Sequence, residues 1–439
     1  MTSTEFIFNL NTWALLRIPA TQVLMFLLMY KLVKKRQPGL IDPFTLALFF
    51  FASGWAVVLE LFLMKQCSPR LLITFIATNF AFLIGYLSIA PILTQFNSRP
   101  SSLKNFNHFG HAALAVYLFT ATVNVALFGF GITHDNRLDI YSESSGLGIL
   151  KRVLDAYMPV AVFFLTYLSS SRTGIKRVLP ILALCLIATN TALDGSKSGL
   201  VAIFFAYTIS THWLQKSNLI YASREPTSSR WLWIAASFSI AFIVLGLQLG
   251  LRDDLSRVGD VIAVLFFRLT IAGDIFILGF PQEIIDKVPS PHNPMLVLFS
   301  DLLSTLRIWS GNIVPLGTEL VAYVNPQLEG ISGGPNSHIS IYTYRLFGEI
   351  GGTFVSFLLG CWLGLIRKLY AKYIGNDPVM ASLIIALLLN CSNMPIDPSY
   401  TMHRLTNIIL LLTPLVLIFF KIRINKIETR STSPKLAQS

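Results

Sequence analysis

Charge is scarce in this sequence: Asp, Glu, Lys and Arg make up 13% of 439 residues, where a water-soluble domain carries roughly 25%. Most of the chain therefore cannot face water, and a soluble globular protein is excluded. Long polar stretches are also few, so no water-soluble domain of ordinary size remains once the apolar runs are set aside. Cysteine is nearly absent. Cys67, Cys185, Cys361 and Cys391 form no C-x-x-C pair and have no metal-ligand spacing, so they read as small buried hydrophobes and not as a disulfide framework or a zinc site. The sequence has no H-E-x-x-H, no paired aspartate cluster and no G-x-S-x-G. Metal-dependent and serine hydrolysis therefore lack support, and no metal or cofactor is expected. No basic segment precedes the first apolar run, and no A-x-A-like site follows it, so that run reads as a retained span.

What the chain has is apolar length. Hydrophobic residues account for 54%, and the mean hydropathy is +0.63. Runs of about 18 residues, enough to cross a bilayer core, recur throughout. Spans are expected near 11–33, 41–64, 71–95, 110–132, 153–170, 178–193, 199–214, 231–250, 339–366, 378–392 and 405–420. The expected class is all-α, a polytopic membrane protein of about 11 transmembrane helices with one long outer loop. Residues 1–250 would form an N-terminal helical bundle, 251–338 the long loop, 339–420 the C-terminal spans and 421–439 a tail.

The net charge of +12 would ordinarily raise nucleic acid as a partner. Its distribution argues for topology instead. Alternating the spans with the N-terminus outside puts 20 basic and 4 acidic residues on one face, net +16, and 14 basic and 18 acidic on the other, net −4, which together restore +12. The positive-inside pattern makes the basic face cytoplasmic, along with the C-terminus.

Residues 251–338 break the regular pattern, because connections of that length are uncommon without a purpose. Within them, Val261 to Phe280 is apolar yet carries Arg268 and Asp274. It reads as an interfacial or re-entrant helix or as a hairpin, since a single crossing would put the basic tail outside. Leu298 to Trp309 could form a short helix on the membrane, whereas Pro289–Pro294 and Gly330–Ser337 are rich in turn formers.

Arginines stand out on the acidic face: Arg137, Arg152, Arg252, Arg257, Arg268, Arg307 and Arg345. The guanidinium fork suits phosphate. Each could equally pair with a carboxylate such as Asp253, Asp254 or Asp260, or reach to headgroups. Arg268 is the leading candidate, because a charge inside an apolar segment is expensive. The hairpin Asp194-Gly195-Ser196-Lys197-Ser198-Gly199 lacks the first glycine of a Walker loop. It is either a tight membrane turn or an anion contact through Lys197 and free backbone N–H groups. His338 follows a flexible run and opens a span in which Tyr342, Arg345 and Glu349 follow at spacings of four, three and four. Those spacings would place a base, a cation and a carboxylate near one helix face, although a polar helix entrance is an equal reading. His134, His292 and His403 lie in outer loops without ligand spacing.

At this point the chain resembles the O-antigen polymerases (Wzy type) in its overall architecture and in short stretches. These are Asp194–Gly199 followed by an apolar span, and Ser332-Gly333-Gly334-Pro335-Asn336 running on through Arg345-Leu346-Phe347-Gly348-Glu349-Ile350-Gly351-Gly352. The Arg-x10-Gly pattern carried by some members in two outer loops is matched by Arg137 to Gly148 and by Arg268 to Gly279. The resemblance implies a glycosyltransferase of the bacterial inner membrane that polymerises lipid-linked oligosaccharide in lipopolysaccharide biosynthesis. A glycan would leave undecaprenyl pyrophosphate for the terminal sugar of a new repeat unit. Expected partners are that lipid-linked oligosaccharide, membrane lipid and a chain-length regulator protein. On this reading Arg137, Lys197, Arg252, Arg257, Arg268, Arg307, Arg345 and Tyr342 would bind pyrophosphate or glycan, and His338 or Glu349 would be catalytic. An O-antigen ligase and a lipid-linked oligosaccharide flippase are the rival readings. A transporter should show repeat symmetry and midplane charges across several helices, whereas this sequence concentrates its polar candidates on one outer face.

Overall fold

A computed structural model of the protein describes residues 12–37, 42–92, 104–131, 148–194, 197–216, 273–289, 293–309, 313–328, 334–373 and 377–419. The described residues are helical and contain no strand. The helices are α1 (Thr12–Val33), α2 (Pro43–Leu63), α3 (Pro69–Ile89), α4 (Lys104–Phe128), α5 (Gly148–Ser171), α6 (Val178–Leu193) and α7 (Lys197–Lys216). They continue with α8 (Asp274–Gly279), α9 (Ile284–Lys287), α10 (Pro294–Thr305), α11 (Leu316–Val324), α12 (Ile339–Tyr373), α13 (Pro378–Cys391) and α14 (Pro398–Asn407). Among the described residues, 8 helices are long and apolar enough to cross a membrane. The protein is an all-α polytopic membrane protein. Each expected span within the described residues coincides with a helix, whereas 231–250 lies outside them. Helix α7 is long enough but more polar, and α13 is apolar but only 14 residues long.

Helix starts follow from local chemistry. The Asp42 carboxylate accepts from the Phe44 N–H at 2.8 Å, and Ser68 Oγ accepts from the Leu71 N–H at 3.4 Å; each is followed by proline at the first helical position. An Asp or Ser N-cap followed by Pro satisfies otherwise orphaned donors and fixes φ for the first turn. Asn293 caps α10 in the same way, accepting from Met295 N–H at 2.9 Å, so that helix begins four residues before the expected Leu298.

The chain forms two compact units interleaved along the sequence. The first comprises 1–94, 242–371 and 388–406; the second comprises 95–241, 372–387 and 407–439. In the first, glycines let α3 and α12 touch backbone to backbone. A methyl group at Gly85 would lie 2.1 Å from the Phe357 carbonyl oxygen, and one at Gly360 would lie 2.1 Å from that of Phe82. Without a hydrophobic drive between helices in lipid, such close approach is a main source of association. In the second unit α5 is central, with 83% of its span buried, against α4, α6 and α7. A π-helical stretch, Ile408–Leu412, interrupts the last span, and the Leu411 carbonyl there accepts from the Tyr157 hydroxyl of α5 at 3.0 Å. Cys185 corrects the reading of buried cysteines: it is exposed on α6, whose span is only 11% buried, whereas Cys67 and Cys391 are buried.

The ion pairs follow the span alternation read from charge. Arg17–Glu60, Arg70–Asp286, Lys151–Asp194, Arg345–Glu319 and His403–Asp301 each join two groups assigned to the acidic face, and Arg367–Asp42 joins two on the basic face.

Candidate functional site

Asp194 and Gly199 help to line a cavity of mixed polar and apolar character in the second unit. Lys151 Nζ of α5 lies 2.6 Å from Asp194 Oδ2 and 3.7 Å from Asp155 Oδ1. Tyr117, Asn124, Asn190, Thr191 and Gly199 complete its polar lining, with Phe130 beside them. The Tyr117 hydroxyl pairs with Asn190 and Thr191. Gly131 is required at the rim, because a methyl group there would lie 2.6 Å from the Asp194 carbonyl oxygen. One ammonium facing two carboxylates repels a diphosphate, whereas mixed hydroxyl, amide and carboxylate groups match the alternating donors and acceptors of a sugar. Of Lys197 only the backbone is described, as the first residue of α7. Arg137, Arg252, Arg257 and Arg268 lie outside the described residues.

In the first unit the residues after the Gly/Pro-rich run do not share one helix face. Helix α12 breaks at Gly348, whose φ of 71° and ψ of −169° separate Ile339–Phe347 from Glu349–Tyr373. That region of backbone space is essentially confined to glycine. The expected alignment of His338, Tyr342, Arg345 and Glu349 is therefore corrected: Glu349 starts a new helical segment. His338 is not at the rim. It is 2% exposed, and its ring stacks on Phe51 at 5.2 Å and packs edge-on against Phe276 at 4.7 Å. Nδ1 faces Ser340 Oγ at 2.9 Å and accepts from the Ser340 N–H. Nε2 points at Gly54, where a methyl group would come within 2.7 Å. Burial pushes its pKa down to about 3, the Phe51 backbone opposing. Tyr342 is likewise buried.

The cations here already have partners. Arg345, at 6% side-chain exposure, donates to the carbonyls of Ile285, Val288 and Pro289 and lies 3.9 Å from Glu319. Its fork clamps the end of α9 to α12, which differs from the phosphate contact expected of it. Burial raises the pKa of Glu319, with Arg345 opposing. Arg70 was not singled out from sequence. It bonds Asp286 and lies 3.8 Å from Glu283 and 3.6 Å from Glu349, while the Tyr344 hydroxyl donates to Asp286 at 2.5 Å. Arg307, at φ 56°, follows the end of α10 with its side chain exposed.

A second group was missed because its members lie 102 residues apart. His403, expected in a loop, sits on α14, with Nδ1 2.9 Å from Asp301 Oδ1 of α10. Nearby Asp397 caps α14, accepting from Ser337 Oγ at 2.9 Å and from the Tyr400 N–H at 3.1 Å. Burial raises the pKa of Asp397. Among the described residues no group of His, Cys, Asp and Glu could hold a metal ion. Comparison with family models, curated proteins and solved structures finds no match to this chain.

Proposed function

We propose that the protein is an O-antigen polymerase of the bacterial inner membrane, with its C-terminus in the cytoplasm. It would transfer a glycan from undecaprenyl pyrophosphate to the terminal sugar of a new lipid-linked repeat unit on the outer face. The observation that carries this reading is the cavity lined by Asp194 and Gly199. Asp194 and Gly199 of the motif in which the sequence resembles that family line the cavity together with Lys151, Asp155, Asn190 and Tyr117. A hydroxyl-rich substrate carried by a lipid would present its sugars at that depth. The diphosphate needs cations, and Arg137, Arg252, Arg257, Arg268, Arg307 and Lys197 are the candidates read from the sequence. Of the two bases expected from sequence, Glu349 keeps a half-exposed carboxylate, whereas His338 is enclosed.

The test is lipopolysaccharide from a strain lacking the gene. Single repeat units on the lipid, with the long-chain ladder restored by the wild type, support the reading. Long chains in the deleted strain refute it, and loss of every repeat unit from the lipid assigns the chain to the ligases instead. Lys151→Ala and Asp194→Asn should both shorten the ladder with the protein still in the membrane.

A further inference from the structure

We propose that α10 lies in the headgroup region of the bilayer, with its apolar face in phospholipid and Arg307 on lipid phosphate. This placement holds whether or not the chain is a polymerase. Helix α10 is apolar over its 12 residues, Pro294–Thr305. At about 18 Å it is too short to cross a hydrocarbon core of about 30 Å. None of its residues is buried.

Its two sides are turned the opposite way from those of a helix on a water-soluble protein. Met295, Phe299, Leu302 and Leu306 recur at spacings of four, three and four and form one face. Asp301 lies about 120° round the helix from Met295. That is the side tied to the protein, because Asp301 Oδ1 is 2.9 Å from His403 Nδ1 of α14. The apolar face is the one turned away, with Met295, Phe299 and Leu306 exposed by 57%, 44% and 49%. A polar side inward and an apolar side outward is stable only where the surroundings are themselves apolar. Ser300 and Thr305 suit such surroundings. Their hydroxyls donate to the Val297 and Asp301 carbonyls at 2.9 and 2.6 Å and so need no water.

The helix ends on a cation. Arg307, at φ 56°, closes α10 in a left-handed turn in which the Ile308 N–H donates to the Leu303 carbonyl at 2.9 Å. Glycine holds that conformation without strain, so an arginine there costs stability. The Arg307 side chain is exposed, with no carboxylate partner among the described residues, and Ile308 beside it is 68% exposed. An apolar face that ends in a guanidinium matches acyl chain and then phosphate, since the long side chain keeps its stem among the chains and its head among the phosphates. A protein partner fits less well. The four exposed apolar side chains offer on the order of 400 Å², about half of the ~800 Å² that a stable interface takes from each partner.

The test uses the full chain with its four native cysteines replaced, one copy per nanodisc of mixed phosphatidylethanolamine and phosphatidylglycerol. An environment-sensitive fluorophore is attached at Phe299→Cys on the apolar face and, for comparison, at Ser304→Cys on the opposite side of the helix. Nitroxide carried on lipid near the headgroup should quench the Phe299→Cys probe more than nitroxide near the chain end, as a face sunk about 5–10 Å demands. Iodide in the buffer should quench that probe less than the one at Ser304→Cys. Arg307→Glu should raise iodide quenching at Phe299→Cys and lower quenching by the shallow nitroxide. Should Phe299→Cys fail to reach the disc, Met295→Cys on the same face replaces it. Iodide quenching as strong as at Ser304→Cys would put the helix in water and overturn the proposal. Shielding from both iodide and lipid nitroxide would mean cover by protein, and stronger quenching from the chain end would mean deep insertion; either result overturns it too. An Arg307→Glu protein that matches its parent with both quenchers overturns the phosphate contact.

Discussion

Arg367 and Asp42 form a two-pronged ion pair inside the first unit, Nη1 to Oδ2 and Nη2 to Oδ1 each at 2.5 Å, with side chains 1% and 0% exposed. The residues are 325 positions apart. The pair ties the start of α2 to α12, and Asp42 also caps α2. Removing one partner of a buried pair strands a charge and costs about 3–5 kcal/mol, while replacing both by apolar groups is far milder. Arg367→Met should therefore sharply lower the thermal unfolding temperature in detergent, and Asp42→Leu with Arg367→Met should recover part of the loss. Equal Tm values for wild type and Arg367→Met would contradict this.

Gly348 isolates a backbone effect. Nothing lies within 4 Å of a methyl group built there, so Gly348→Ala meets no steric obstacle, yet its φ of 71° with ψ near extended is hostile to any L side chain. The substitution should cost about 1–3 kcal/mol through strain alone. Thermal unfolding of the purified variant checks this, with Gly174→Ala, whose φ of 59° is also left-handed and which lies in a connection between spans, as the comparison; equal Tm values for wild type and Gly348→Ala would contradict the strain.

His338 makes stability depend on acid. Burial lowers its pKa from 6.5 to about 3. A base with a depressed folded pKa contributes stability that is complete above the unfolded value and is lost progressively as pH falls from 6.5 towards 3. Tm should fall between about pH 7 and 4.5, and His338→Gln should flatten that slope. An unchanged acid slope in the variant would count against a neutral, enclosed imidazole.

Helix positions were legible because a bilayer core demands about 20 apolar residues per crossing, a requirement written locally into the chain. The alternation of faces is an expectation read from charge, and each ion pair named above joins residues that it assigns to one face. The site was legible only in part. His338 follows a turn-rich run and reads as a rim base, but the rings that enclose it come from α2, α3 and α8, and no local pattern reveals that. The break at Gly348 has no local signature either, because its neighbours Gly351 and Gly352 remain helical. Asp301 and His403 lie on separate helices, so their pairing had no signature in spacing.

Sidedness decides the account, because a lipid-linked glycan can be lengthened only on the face where its sugars are displayed. Lys287 and Lys368 are both exposed, on the acidic and basic faces respectively. Each is replaced singly by Cys in a protein whose four native cysteines are removed, and intact spheroplasts are treated with a membrane-impermeant maleimide. The account requires Lys287→Cys to label at once and Lys368→Cys only after permeabilisation. The reverse pattern would put Glu283, Asp286 and Glu349 in the cytoplasm and would contradict the proposed function.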